Sequence, residues 1–178
     1  MSTTILRDCS KNIPYLVADS SVSPTGLKWA APAAAAFVGC MLAKTSQQTT
    51  TAFAYTAVTF TQEDVDTNGF HDNSTNTSRI TIPSGYAGKY RFTGFANASA
   101  AGDNTHTCAI AKNGTNQMIS GGWKGPSTGD GNYTASIILD LAVGDYVEFM
   151  VYQQVAATLN STAQNARPTT FSAEYLGA

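Results

Sequence analysis

The chain has 178 residues, of which 12% are charged and 43% apolar, with a formal net charge of −2. That length suits one domain with a short appendage, able to bury about 70% of its unfolded surface without covalent staples. The charge balance, with no basic run, gives no support to phosphate-driven nucleic-acid binding, and the abundance of Ser, Thr, Asn, Gly and Ala argues for short strands and polar turns over long helices.

Cys9, Cys40 and Cys108 are odd in number and irregular in spacing, so they form no disulfide framework and read as small buried hydrophobes. With only His71 and His106, and no Cys-x-x-Cys pair, a zinc site is not expected. The N-terminus lacks the apolar core of a signal peptide, and no stretch approaches the length of a membrane span. The expectation is synthesis in the cytoplasm and no membrane insertion.

Residues 1–34 differ from the rest. Ile5, Leu6, Ile13, Tyr15, Leu16 and Val17 are sparse and aperiodic, and Pro14, Pro24 and Pro32 interrupt any helix. Such a segment buries no core alone. It reads as a frayed tail or as an extended arm that gains order by docking, with Ile5, Leu16, Val17, Leu27 and Trp29 as anchors. The alanine-rich join at Ala30–Ala36 reads as a linker, so the expected division is an arm and linker over 1–34 and a domain over 35–178.

From Phe37 the pattern is all-β. Phe37–Ala43 is a short apolar run, Gln47–Ala52 a weak edge strand and Ala57–Phe60 a strand, followed by a loop over Thr61–Thr77. In Ser78–Phe95, Ile80 and Ile82 alternate with polar residues, and Pro83, Gly85 and Gly88 break the run. Tyr90, Phe92, Gly94 and Ala96 then share one face of the next strand, opposite Lys89, Arg91 and Thr93. His106–Lys112 is a strand closed by Asn113-Gly114, a strong hairpin dipeptide. Met118–Trp123 is a strand and Lys124–Asn132 a loop. Tyr133–Leu141 alternates with Tyr133, Ala135, Ile137, Leu139 and Leu141 on one face. After a turn at Gly144-Asp145, Val147, Phe149 and Val151 point in. Thr169–Leu176 closes the chain. About ten short antiparallel strands make a sandwich or jelly roll. The outward positions Tyr146, Met150 and Tyr152 form an apolar stripe large for a monomer surface, and are the expected trimer contacts.

Several ordered pieces carry a resemblance. Gly88-Lys89-Tyr90-Arg91-Phe92, Leu139-Asp140-Leu141 leading to Gly144-Asp145-Tyr146-Val147, and the terminal Phe171-Ser172-Ala173-Glu174-Tyr175-Leu176 resemble the globular head of complement's first component, which shares the trimeric jelly roll of the tumour necrosis factors. Asp19-Ser20 with Thr25-Gly26-Leu27-Lys28-Trp29-Ala30-Ala31-Pro32, and Phe60–Ile82, are similar to virion proteins of tailed bacteriophages. The resemblance implies a homotrimeric phage structural protein at the virion surface, made in the bacterial cytoplasm and partnered by capsid or tail proteins. No collagen-like stalk is present in the sequence, so no complement-type partner is implied. The function expected is a spike or fibre tip anchored by its arm and engaged in host adhesion; the alternative is a capsid decoration with a purely architectural role.

Candidate chemistry is thin. Asp64-Val65-Asp66-Thr67-Asn68-Gly69, with Asp72 at the ninth position, fits half of a calcium loop, but Thr75 stands where a bidentate glutamate is needed. It reads as a polar turn, and no metal or other cofactor is expected. His71 and His106 read as structural or solvated. No nucleophile elbow, metalloprotease pair or phosphate loop occurs, so no enzyme is expected. Trp123, Lys124, Asp130, Asn132 and Tyr133 bracket a polar loop with two aromatics, a combination that can stack on sugar rings and bond their hydroxyls, which makes a host-envelope glycan the candidate ligand. The competing reading places Trp123 and Tyr133 in the core or at a subunit contact.

Overall fold

The computed structural model describes residues 15–19, 26–30, 36–99, 106–121, 130–159 and 169–178. The chain divides into two units, Met1–Ala36 and Phe37–Ala178.

In the first unit, β1 (Tyr15–Asp19) and β2 (Gly26–Ala30) pair antiparallel, with Leu16 opposite Trp29 and Ala18 opposite Leu27. A segment expected to be extended and irregular therefore contains a ladder. The prolines interrupt a helix, but each lies outside these two five-residue runs, where a strand needs only unblocked backbone.

The second unit is an all-β jelly roll with no helix among the described residues. Its described residues hold twelve strands: β3 (Gly39–Ala43), β4 (Gln48–Thr49), β5 (Ala54–Ala57), β6 (Gln62–Asp66), β7 (Arg79–Thr81), β8 (Gly88–Ser99), β9 (His106–Lys112), β10 (Thr115–Gly121), β11 (Asp130–Leu141), β12 (Tyr146–Gln153), β13 (Thr158–Leu159) and β14 (Thr170–Gly177). The larger sheet runs β11-β8-β14-β3-β6, with β13 also on β8 and β4 on β13. The smaller runs β10-β9-β12-β7.

The strong alternations appear as strands in the expected faces. Along β8, Tyr90, Phe92, Ala96 and Ala98 are buried and Lys89, Arg91, Thr93 and Phe95 are exposed. Asn113 and Gly114 form the two-residue turn between β9 and β10, both with positive φ, at 50° and 77°. That left-handed pair matches the twist of a tight hairpin. Weakly patterned elements shifted. The loop expected over Thr61–Thr77 contains β6, a strand of Gln-Glu-Asp-Val-Asp that has no apolar alternation and is held by backbone pairing to Cys40–Ala43. The strand expected at Ala57–Phe60 ends at Ala57 as β5, and β11 begins at Asp130 within the expected loop.

The core fills the gap between the sheets with aromatic rings. Phe171 lies 5.9 Å from both Phe92 and Phe149 and 6.1 Å from Phe60, centroid to centroid. Phe70 and Tyr175 close one side against Tyr90. Cys40 and Cys108 are free and buried, as small core hydrophobes; burial pushes both thiols well above their ordinary pKa, to about 11 for Cys108.

Candidate functional site

Three regions of the second unit could meet a ligand or partner. The first is the outward face of the larger sheet. Thr93 stands opposite Ser136 on β11 and Ser172 on β14, and Met41 on β3 is opposite Ser172 and Val65. Short hydroxyl side chains thus occupy the centre, where Thr93 Oγ1 and Ser136 Oγ lie 3.1 Å apart. Around them Met41, Val65, Phe95 and Ile138 are 37%, 42%, 37% and 54% exposed. Two ion pairs edge the face, Arg91–Glu174 at 3.1 Å and Lys89–Asp140 at 3.5 Å. Alternation makes this face: on β3, β8 and β14 the residues flanking these positions are buried, and no described element covers the outer side.

The outward face of β12, where trimer contacts were expected, is half-buried within the chain itself. Residues 52–58 take over the edge that β7 leaves, through Phe53 N–H to Gln153 O at 2.7 Å and Val58 N–H to Phe149 O at 2.9 Å. They carry Tyr55 onto Tyr152, with ring centroids 5.3 Å apart. The Arg79 guanidinium lies 3.9 Å from the Tyr146 ring centroid. Much of the apolar area that motivated the expectation therefore already has an intramolecular partner, and Met150 between them is half-buried.

The second region is the 66–78 turn. Asp66 Oδ1 accepts the N–H groups of Asn68, Gly69 and Phe70, and Oδ2 accepts that of His71. Asp72 accepts the Ser74 hydroxyl and the N–H groups of Ser74 and Thr75, and these bonds, the hydroxyl's first, pull its carboxyl below the usual range. Asp64 accepts from Gln62 Nε2 at 2.7 Å. Asp66 and Asp72 thus hold the backbone of their own turns, Asp64 is engaged by a side-chain amide on its own strand, and no group of three potential metal-binding side chains converges among the described residues. His71 is buried at its ring, with Nδ1 3.1 Å from Glu63 and Nε2 3.2 Å from Thr77 O, so it is structural. A cleft of about 170 Å³ opens here, lined by polar residues including Asp72, Asn76 and Arg79.

The third region is the end of the sandwich where β11 starts. Trp123 and Lys124 lie outside the described residues. Asp130 pairs with Ser99 in the backbone ladder. Asn132 is exposed and accepts from Asn97 Nδ2 at 2.9 Å. Tyr133 is fully buried, with its hydroxyl 2.8 Å from His106 Nδ1. Burial pushes its pKa up, and the same cause pushes that of His106 down. Tyr133 therefore follows the core reading, while Asn132 stays available at the surface. Of the expected anchors, Ile5 lies outside the described residues and Leu16, Val17, Leu27 and Trp29 are positions in the β1–β2 ladder. The outward face of the larger sheet was not singled out from sequence, although the exposed alternation partners of β8 and β11 already contained it.

No family model matches the chain, and no curated protein does. Solved structures do. Murine APRIL at pH 5.0 superposes with a TM-score of 0.58 at 12% identity, covering 79% of this chain and all of that one. The globular domain of zebrafish complement 1qA gives 0.54 at 12% identity, covering 79% and 98%. Murine APRIL at pH 8.0 gives 0.55 at 10% identity, covering 79% and 100%. The chain has the jelly-roll fold of the tumour necrosis factor and complement globular domains.

Proposed function

We propose that the protein is a non-enzymatic, homotrimeric structural module of a bacteriophage virion surface, a spike or fibre tip held by its N-terminal unit and engaged in host adhesion. The phage assignment rests on the sequence resemblance. The observation that carries self-association is the outward face of the larger sheet, with Met41, Val65, Phe95 and Ile138 exposed around a centre of small hydroxyl residues. Short side chains allow a neighbouring copy to approach closely, and the apolar ring supplies the driving force. Charged pairs at the edge set the register.

A permanent trimer of this kind buries more than about 2,000 Å² per interface. Sedimentation or light scattering of the whole chain is expected to give three times the monomer mass at micromolar concentration. The double substitution Phe95→Asp with Ile138→Asp is expected to give monomers with an unchanged β spectrum. A monomer mass for the parent chain removes the reading. Adhesion is tested separately: purified protein is expected to bind host envelopes and slow adsorption of the phage, whereas a purely architectural decoration leaves adsorption unaffected.

A further inference from the structure

Inside the core, where β9 and β11 begin and β12 ends, stands a polar cluster. Gln153 is opposite His106 in the β12–β9 register. Tyr133 places its hydroxyl on His106 Nδ1. Tyr133 and Gln153 are 0% exposed and His106 4%. The Gln153 amide approaches the Tyr133 hydroxyl without reaching hydrogen-bond geometry, and its nearness offsets part of the larger upward push of burial on that hydroxyl. Among the described residues, His106 Nε2 and both amide atoms of Gln153, Nε2 and Oε1, are closed off from solvent without a hydrogen-bond partner.

Other buried polar side chains are served. Lys44 Nζ donates to Gln48 Oε1, Thr59 O and Thr59 Oγ1, Thr50 Oγ1 donates to Ala157 O, and Glu148 accepts from Ser78 Oγ. The unserved atoms are confined to two residues that face each other across one strand pair. A dry, unpaired amide costs more than an ordinary hydrogen bond returns, and native interiors rarely keep one. The chemistry on offer is neutral and mixed. Gln153 brings two donors and an acceptor, and a neutral His106 whose Nδ1 is engaged by Tyr133 brings one further donor or acceptor. Among the described residues no set of metal-binding side chains includes them. A molecule that both donates and accepts, and is small enough for a core, fits that set.

We propose that His106, Tyr133 and Gln153 form a built polar site that binds at least one internal water, held by His106 Nε2 and the Gln153 amide. The water bridges β9 to β12 and, through the Tyr133–His106 bond, fixes how β11 enters the core. The site is new to the surfaces above and does not depend on the trimer or on adhesion.

A high-resolution crystal structure of the whole chain tests this. Ordered density about 2.7–3.2 Å from His106 Nε2 and a Gln153 amide atom is expected. Direct hydrogen bonds from Gln153 to His106 or Tyr133, with no density between, overturn the proposal. Gln153→Met keeps the volume and removes both amide groups. With a bound water losing its partners, the melting temperature is expected to fall by several degrees; an unchanged or raised value means the amide was dry and counts against the site. If that variant does not fold, or the two results disagree, the density in the parent protein decides.

Discussion

Gly94 on β8 lies directly against the Phe149 ring of the facing sheet. A Cβ added there would lie 2.4 Å from Phe149 Cδ2, inside the ring packed against Phe171. The residue is glycine because the opposing aromatic takes the space, and Gly94→Ala is expected to destabilise by about 1–3 kcal/mol through overpacking. Chemical denaturation measures it, and an unchanged midpoint would mean Phe149 moves aside freely. His106 makes a second prediction. Burial holds its pKa below the ordinary value of 6.5. The folded protein thus favours the neutral ring, and the unfolded chain binds the proton first. Its contribution is complete above pH 6.5 and is lost as pH falls from there toward the depressed folded value. Melting temperature is expected to drop between pH 7 and pH 5 by more in the parent than in His106→Gln. Parallel curves for the two would dismiss the effect.

At the scale of elements, turns are held by carboxylates. Asp145 accepts from Lys112 Nζ, Asn113 Nδ2 and Ala142 N–H, all within 2.8–2.9 Å, and so ties the β9–β10 hairpin to the β11–β12 turn. The Lys112 and Asn113 bonds, with that of Ala142, pull its pKa down to about 2. Its contribution is present above the ordinary carboxylate value of 3.8 and is lost as pH falls toward about 2. Asp145→Ala is expected to cost about 1.5–3 kcal/mol at neutral pH, and much less near pH 2, in denaturant titrations. An equal cost at both would assign the loss to packing. Asp66 does the same for the end of β6. Asp66→Ala is expected to speed hydrogen exchange at the amides of residues 68–71 while the β8 amides stay protected, since four N–H groups lose one carboxylate.

For the whole molecule, the division at Ala36/Phe37 separates an N-terminal unit from the jelly roll. Burying one large apolar anchor yields about 1.5–3 kcal/mol, and three copies on a trimer add avidity. Under the proposed function, deleting residues 2–34 is expected to leave a folded trimer and abolish incorporation into particles. Full occupancy of the truncated protein on virions would place the attachment on the jelly roll itself.

Strand identity was legible wherever alternation was long. Over β8, β11 and β12 the period of two assigns each residue a side, because a one-residue slip would turn every core ring into solvent. The Asn113-Gly114 turn was legible because few dipeptides tolerate two left-handed residues. Other features depended on distant partners. β6 is a strand because β3 offers it an edge, and its own composition carries no such signal. The β1–β2 ladder is a backbone pairing that sparse side chains did not announce. Tyr133 and Gln153 could not be read from spacing, since what surrounds them comes from β9, twenty or more residues away in sequence, and only the closed sandwich puts His106 between them. The outward stripe of β12 was correctly placed on its strand, yet residues 52–58 determine how much of it solvent sees. Periodicity states which side a residue takes; what covers that side is decided by tertiary pairing.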